Sequence, residues 1–230
     1  MATPNLAPMS VDATLVNNGV KCVVYGKAGA GKTRLALTVP KPIILSAERG
    51  LLSIKGHGLQ QLPEISTLAE LVNAHNWLMT NAAARQFDTV FVDSISEIAE
   101  VVLRNAKSQT KDGRKAHDDA AELIIQTIFR AFRDMPRMHV VMIAKERGDM
   151  DQLSQTMQYQ PSMPNSKLRE ALPYYFDYVF RYVHGMNADR TPWEALQCRA
   201  DATSIAKARS GAVSMWEQPH LGNIFNKAMV

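Results

Sequence analysis

Eight consecutive residues, Gly26-Lys27-Ala28-Gly29-Ala30-Gly31-Lys32-Thr33, carry the clearest chemistry in this sequence. They fit the G-x-x-x-x-G-K-[ST] spacing of a P-loop, whose backbone N–H groups turn inward around phosphate oxygens. Glycine permits the turn because it has no Cβ to meet the anion. Lys32 supplies a cation for the β- and γ-phosphates, Thr33 a hydroxyl for Mg²⁺, and Arg34 completes the nucleotide-binding set. Asp93 ends the apolar run Val90-Phe91-Val92, where a second ligand of the magnesium shell belongs. The expected cofactors are therefore ATP and Mg²⁺. A base to activate water must come from elsewhere, because Ser94 follows Asp93 where many such proteins carry glutamate. Glu48 is the candidate and Glu97 the reserve. Lys145, after another apolar run, joins them if all these runs are parallel strands, since ligands of open α/β sheets bind beyond the carboxyl ends.

The elements that must position these residues alternate strand-like and helical from end to end, which indicates an α/β domain with a mostly parallel sheet. Strands are expected at Cys22–Tyr25, Ile43–Leu45, Thr89–Val92 and Val140–Ala144. A helix should follow the P-loop and offer its positive N-terminus to phosphate. Thr67 and Glu70 form a capping box ahead of Leu68, Leu71, Val72, Leu78 and Met79 at helical spacing. A further helix runs from about Ile95 to Asn105, and Asp119 with Glu122 is placed to cap another. Residues 149–165 lack periodicity and read as a long loop, a length usually reserved for function. Strands near Tyr178–Val183, Trp193–Cys198 and Thr203–Ala206, with a hairpin between Gly185 and Arg190, suggest an antiparallel C-terminal part closed by a helix near Leu221–Ala228. Residues 1–19 read as an N-terminal extension and 20–230 as a single domain.

Composition narrows the class. The chain has 230 residues, 46% of them apolar and 21% charged, as expected of an ordinary globular protein. Cys22 and Cys198 sit in apolar stretches and provide no disulfide framework, so a reducing, cytoplasmic setting is the expectation. No apolar run is long enough to span a bilayer, and the six histidines show no zinc spacing. The tryptophans Trp77, Trp193 and Trp216 and the run Tyr174-Tyr175-Phe176 read as core or subunit contacts. Charge is uneven. Arg104, Lys107, Lys111, Arg114 and Lys115 face Asp112 alone, a local surplus equal to the whole chain's net +4. A solvated face is the plain reading of such a run unless the rest of the chain implies a polyanion.

The combination resembles the RecA-type recombinase core: Gly26, Lys32 and Thr33, then Ser46-Ala47-Glu48 where that family carries its catalytic glutamate, then Val92-Asp93-Ser94. More narrowly, the Ser94-Ile95-Ser96-Glu97 continuation and the Lys207-Ala208-Arg209 segment look like the phage single-strand annealing ATPases of the Sak type. The resemblance implies a RecA-like P-loop core working as a homo-oligomer, ring or filament, on single-stranded DNA, with a single-strand-binding protein as a further partner. It makes Lys207 and Arg209 candidates to reach the γ-phosphate of a neighbouring subunit. It also assigns DNA contact to the basic run Arg104–Lys115 and to the loop 149–165, where Tyr159 can stack on bases. One departure stands out: the family usually presents a polar amide at the end of the fourth strand, and this chain has Lys145-Glu146. Weak ATP hydrolysis that modulates annealing fits that departure better than strong strand exchange. Two other classes compete. A small-molecule kinase needs an arginine-rich lid, and Arg130, Arg133 and Arg137 belong instead to a helix and the turn after it. A nucleotide-dependent switch or assembly factor needs no DNA, and a GTPase is disfavoured because the N-K-x-D pattern is absent.

Overall fold

A computed structural model describes residues 18–48, 50–152 and 155–229. The expected extension over 1–19, Arg49, and positions 153 and 154 of the expected loop lie partly or wholly outside those residues.

The core is a sheet whose central strands are β1 (Lys21–Gly26), β2 (Pro42–Ser46), β4 (Thr89–Asp93), β5 (His139–Met150) and β7 (Tyr178–Met186). Short strands β3 (Gln60–Gln61) and β10 (Trp216–Glu217) and the longer β8 (Pro192–Gln197) complete the order β10-β8-β7-β1-β5-β4-β2-β3. The strands from β7 to β3 run parallel, whereas β8 and β10 are antiparallel. The α/β expectation therefore holds, including the antiparallel C-terminal part. Every residue of β1, β2 and β4 is buried, as a parallel sheet covered on both faces requires. Val23 and Tyr25 pack into the larger core beneath the helices, while Cys22 and Val24 pack on the other face against Leu35, Ala36 and the closing helix α5 (Leu221–Ala228). Cys22 and Cys198 are both free and buried.

Helix α1 (Leu68–Thr80) begins with the expected capping box, Thr67 Oγ1 accepting from the Glu70 N–H and the Glu70 carboxylate accepting from the Thr67 N–H. Helix α2 (Ile95–Gln109) is capped by Ser94, so Asp93 is not spent on capping.

Several expectations need correction. The segment after the P-loop is a seven-residue 3₁₀ helix, Lys32–Thr38. Pro40 and Pro42 leave no room for a longer α-helix before β2, so the phosphate site relies on loop amides rather than on a full helix dipole. The basic run spans the end of α2, a tight turn, and the start of α3 (Gly113–Ile124), with Asp112 rather than Asp119 as the N-cap. Residues 149–165 include part of a ribbon: β5 continues past the sheet edge and pairs antiparallel with β6 (Met157–Pro161). Tyr159 packs against the core and Pro161 is buried, but the ribbon is largely polar and lacks the apolar alternation that marks a strand in sequence. Helix α4 (Ser166–Tyr175) went unanticipated because Pro173 lies inside it; Asn165 caps it. The third C-terminal strand is β9 (Lys207–Ala208), with only two isolated bridges at Ser204, to Tyr159 and to Asp201, earlier. Phe176 is core and Trp77 packs against the core, but Tyr174, Trp193 and Trp216 are exposed by 80%, 41% and 49%. Among the described residues no helix is long and apolar enough to cross a membrane.

Candidate nucleotide site

The carboxyl ends of β1, β2, β4 and β5 meet around one cavity of about 1250 Å³, lined by residues 26 and 28–34 together with Glu48, Asp93 and Lys145. Register explains the meeting. Gly26 pairs with Lys145, and Ser46 with Asp93, so each chemical side chain leaves its strand at the same level. The P-loop backbone needs its glycines. A Cβ on Gly26 would stand 2.7 Å from the Tyr182 carbonyl oxygen, and Gly31 has φ +100° with the Tyr182 hydroxyl 3.1 Å from where a Cβ would lie.

Lys32 Nζ donates to the Gly26 and Lys27 carbonyls at 2.7 and 2.8 Å, which folds the loop around its own lysine. Burial draws the Lys32 ammonium below its ordinary value, with Asp93 and Glu48 pulling it back. Thr33 Oγ1 donates to Asp93 Oδ2 at 2.6 Å. Asp93 is buried, and that burial pushes its carboxyl up despite the hydrogen bond from Thr33. Hydroxyl and carboxylate side by side are hard oxygen donors, the set magnesium takes when substrate phosphates and water complete its shell. The residues present thus fit the expected ion. Among the described residues no cluster of three or more His, Cys, Asp or Glu offers an alternative metal centre.

The departures from the expected pattern form a network of their own. Ser94 Oγ, which caps α2, also donates to Glu48 Oε1. Lys145 Nζ stands 3.4 Å from Glu48 Oε1 and 2.7 Å from Glu97 Oε2. Against the lowering effect of burial, these two carboxylates hold the Lys145 ammonium above its usual value. Ser94 thus stands in contact with the candidate base, a link its position after Asp93 gives no hint of. Ser96 Oγ accepts from the Lys145 N–H and donates to the Ser162 carbonyl, fixing β5 to α2 and to the strand leaving the ribbon.

Other residues singled out in the sequence lie elsewhere. Arg104, Lys107, Lys111, Arg114 and Lys115 are all exposed at the α2–α3 corner. Lys207 and Arg209 follow the opposite, N-terminal end of β7, where Lys207 pairs with Val179. Lys207 Nζ donates to the Pro173 and Phe176 carbonyls at 2.6 and 2.9 Å, and Arg209 bonds Asp177 Oδ1 at 2.7 Å. The Tyr159 ring lies under Arg181, whose guanidinium carbon is 3.8 Å from the ring centre and which is ion-paired to Glu146 at 2.8 Å. Sequence reasoning missed the wall made by β7 and β8, where Tyr182 donates to Glu194 Oε2 at 2.7 Å beside Gly31. No local signal announced it, because it stands about 150 positions from the P-loop.

A family profile described as an AAA domain matches residues 18–210. No curated protein matches the chain.

Proposed function

The chain belongs to the AAA domain family, whose members are P-loop nucleotide-binding ATPases, and on that premise we propose that it binds ATP with magnesium and uses it to modulate annealing of single-stranded DNA. One observation carries the nucleotide part. Lys32, Thr33 and Asp93 stand together at the mouth of a glycine turn, with Thr33 and Asp93 2.6 Å apart. Lys32 exchanges its two carbonyl partners for phosphate oxygens, and the loop amides surround the chain. Magnesium, when bound, supplies charge neutralisation at the β- and γ-oxygens. Glu48, held by Ser94 and Lys145, accepts the proton of the attacking water as its oxygen bonds to the γ-phosphorus and the β–γ bridging bond breaks to release ADP. Lys145, itself paired to Glu97, orients that glutamate and faces the departing phosphate.

The DNA part rests on the basic corner and on the resemblance to Sak-type annealing proteins. Arg114 and Lys115 occupy the first turn of α3, where the helix dipole disfavours cations. Placing them there suits a polyanion lying across the corner, because phosphate contacts supply most sequence-independent affinity. The subunits are proposed to assemble on the strand as a ring or filament, with a single-strand-binding protein nearby. Arg209, 59% exposed, is the better of the two trans-acting candidates, since Lys207 is committed to carbonyls of its own chain.

The test is annealing of complementary oligonucleotides with and without ATP and magnesium. Glu48→Gln should bind ATP but hydrolyse it at least about 100-fold more slowly. Reversal of the five corner cations to glutamate should abolish strand binding and flatten its salt dependence. Full annealing by the reversed protein refutes the corner as the DNA contact, annealing indifferent to ATP refutes its modulation by nucleotide, and ATP binding with no annealing at all supports a switch without DNA chemistry instead.

A further inference from the structure

The cavity has two flanks of different chemistry, and only one is used by the reading above. On the β4–β5 side stand Asp93, Glu48 and Lys145. On the other side the hairpin β7–β8 rises past the P-loop, because β7 pairs with β1 only as far as Tyr182↔Gly26 and then continues to Met186. Its register sets His184 opposite Glu194 and Met186 opposite Pro192, so these four share one hairpin face with Tyr182, which touches the loop at Gly31. Met186 is 65% exposed yet lines the cavity, as do Pro192 and Trp193. The Trp193 indole lies flat across Gly185, where a Cβ would stand 2.8 Å from its ring.

Direction decides what this flank receives. With Thr33 and Asp93 holding the metal-bearing end of a triphosphate toward β4, as proposed above, its α-phosphate and whatever it carries would leave toward β7–β8. A carboxylate there, Glu194, repels phosphate but accepts hydrogen bonds from hydroxyl or amino groups, and the apolar surfaces beside it suit a flat ring. We propose that the β7–β8 hairpin is the nucleoside seat of this protein: Met186 and Pro192 cover the base, Trp193 borders the cavity from the hairpin's other face, and Glu194, held by the Tyr182 hydroxyl, accepts from the sugar or the base amine. The seat rests on the nucleotide reading above and adds the element that separates a nucleoside triphosphate from a bare triphosphate.

Calorimetry on the full chain with magnesium, comparing ATP and inorganic tripolyphosphate, tests it. The wild type should bind ATP more tightly than tripolyphosphate. Met186→Ala with Pro192→Ala should weaken ATP about 5- to 50-fold and leave tripolyphosphate unchanged, the loss expected when a base gives up its stacking surface. Trp193 emission should respond to ATP and not to tripolyphosphate, and Trp193→Phe, which keeps an aromatic cover over Gly185, should remove that response while retaining most ATP affinity. Equal affinity of the wild type for the two ligands overturns the seat, as does undiminished ATP binding by the double variant. If Lys32→Ala binds tripolyphosphate as well as the wild type does, the phosphate grip fails first and the seat falls with it.

Discussion

The two edges of the sheet each hold lysines bonded to backbone carbonyls, and the contrast shows what separates a working cation from a structural one. At the carboxyl edge Lys32 Nζ rests on the Gly26 and Lys27 carbonyls inside an open cavity, with Asp93 and Glu48 near enough to act on it. At the amino edge Lys21 is 3% exposed and its Nζ donates to the Asn18, Met135 and Met138 carbonyls. Lys207, half-buried at that same edge, closes the end of α4 by donating to Pro173 and Phe176, as a cation at a helix C-terminus should. All three satisfy carbonyls. Only Lys32 can let them go, because its carbonyls belong to a loop that water and a ligand reach, whereas Lys21 itself is buried and two of its three partners, Met135 and Met138, belong to the core.

The sharpest way to break this comparison is Lys21→Met. It keeps much of the volume but strands three carbonyls, and denaturant unfolding should show a loss of about 2–4 kcal/mol with ATP affinity retained by the folded fraction. Wild-type stability would make Lys21 a bystander. The same lysine gives a pH dependence. Burial lowers its pKa from 10.5 to about 8, against the pull of Asp177 and Asp134. Between those values the unfolded chain binds more protons than the folded one, so stability rises with pH across the interval. Below it the cost of the buried charge is present in full. Lys21→Met should lose that slope, measured by paired denaturation curves at the two ends of the window.

Lys32→Ala is the mirror image. ATP affinity should fall about 10- to 100-fold by calorimetry, the worth of a charge-assisted contact, with the unfolding midpoint within the scatter of the wild type. Smaller effects are expected at the amino edge beyond Lys21. Lys207→Met should cost about 1–2 kcal/mol through the freed carbonyls of α4. Arg209→Ala, which breaks only an exposed pair with Asp177, should change stability by less than about 0.5 kcal/mol. An Arg209 variant that folds normally but loses hydrolysis in the assembled state would support its trans-acting role, and unchanged hydrolysis would remove it.

Much of the fold was legible because its signals are local. The apolar runs at Val90–Val92 and Val140–Ala144 are continuous, as strands buried on both faces must be, and Thr67 with Glu70 states a helix start outright. The failures are equally physical. The β5–β6 ribbon is largely polar and shows no apolar alternation, α4 hides a proline, and Asp119, with Glu122 three residues on, looked like a cap where Asp112 serves as one.

Residues 26–33 could be understood from the sequence alone, since contiguous atoms along one backbone make the phosphate cradle and no distant partner is needed to recognise it. Asp93 and Glu48 were half visible, each marking where an apolar run stops. Folding alone decided that Ser94 and Lys145 grip Glu48, that Lys207 serves a helix end rather than standing free, and that a hairpin from the far part of the chain walls the pocket. Those contacts depend on strand order and register, which emerge from packing the whole sheet, and no short window of sequence contains both partners.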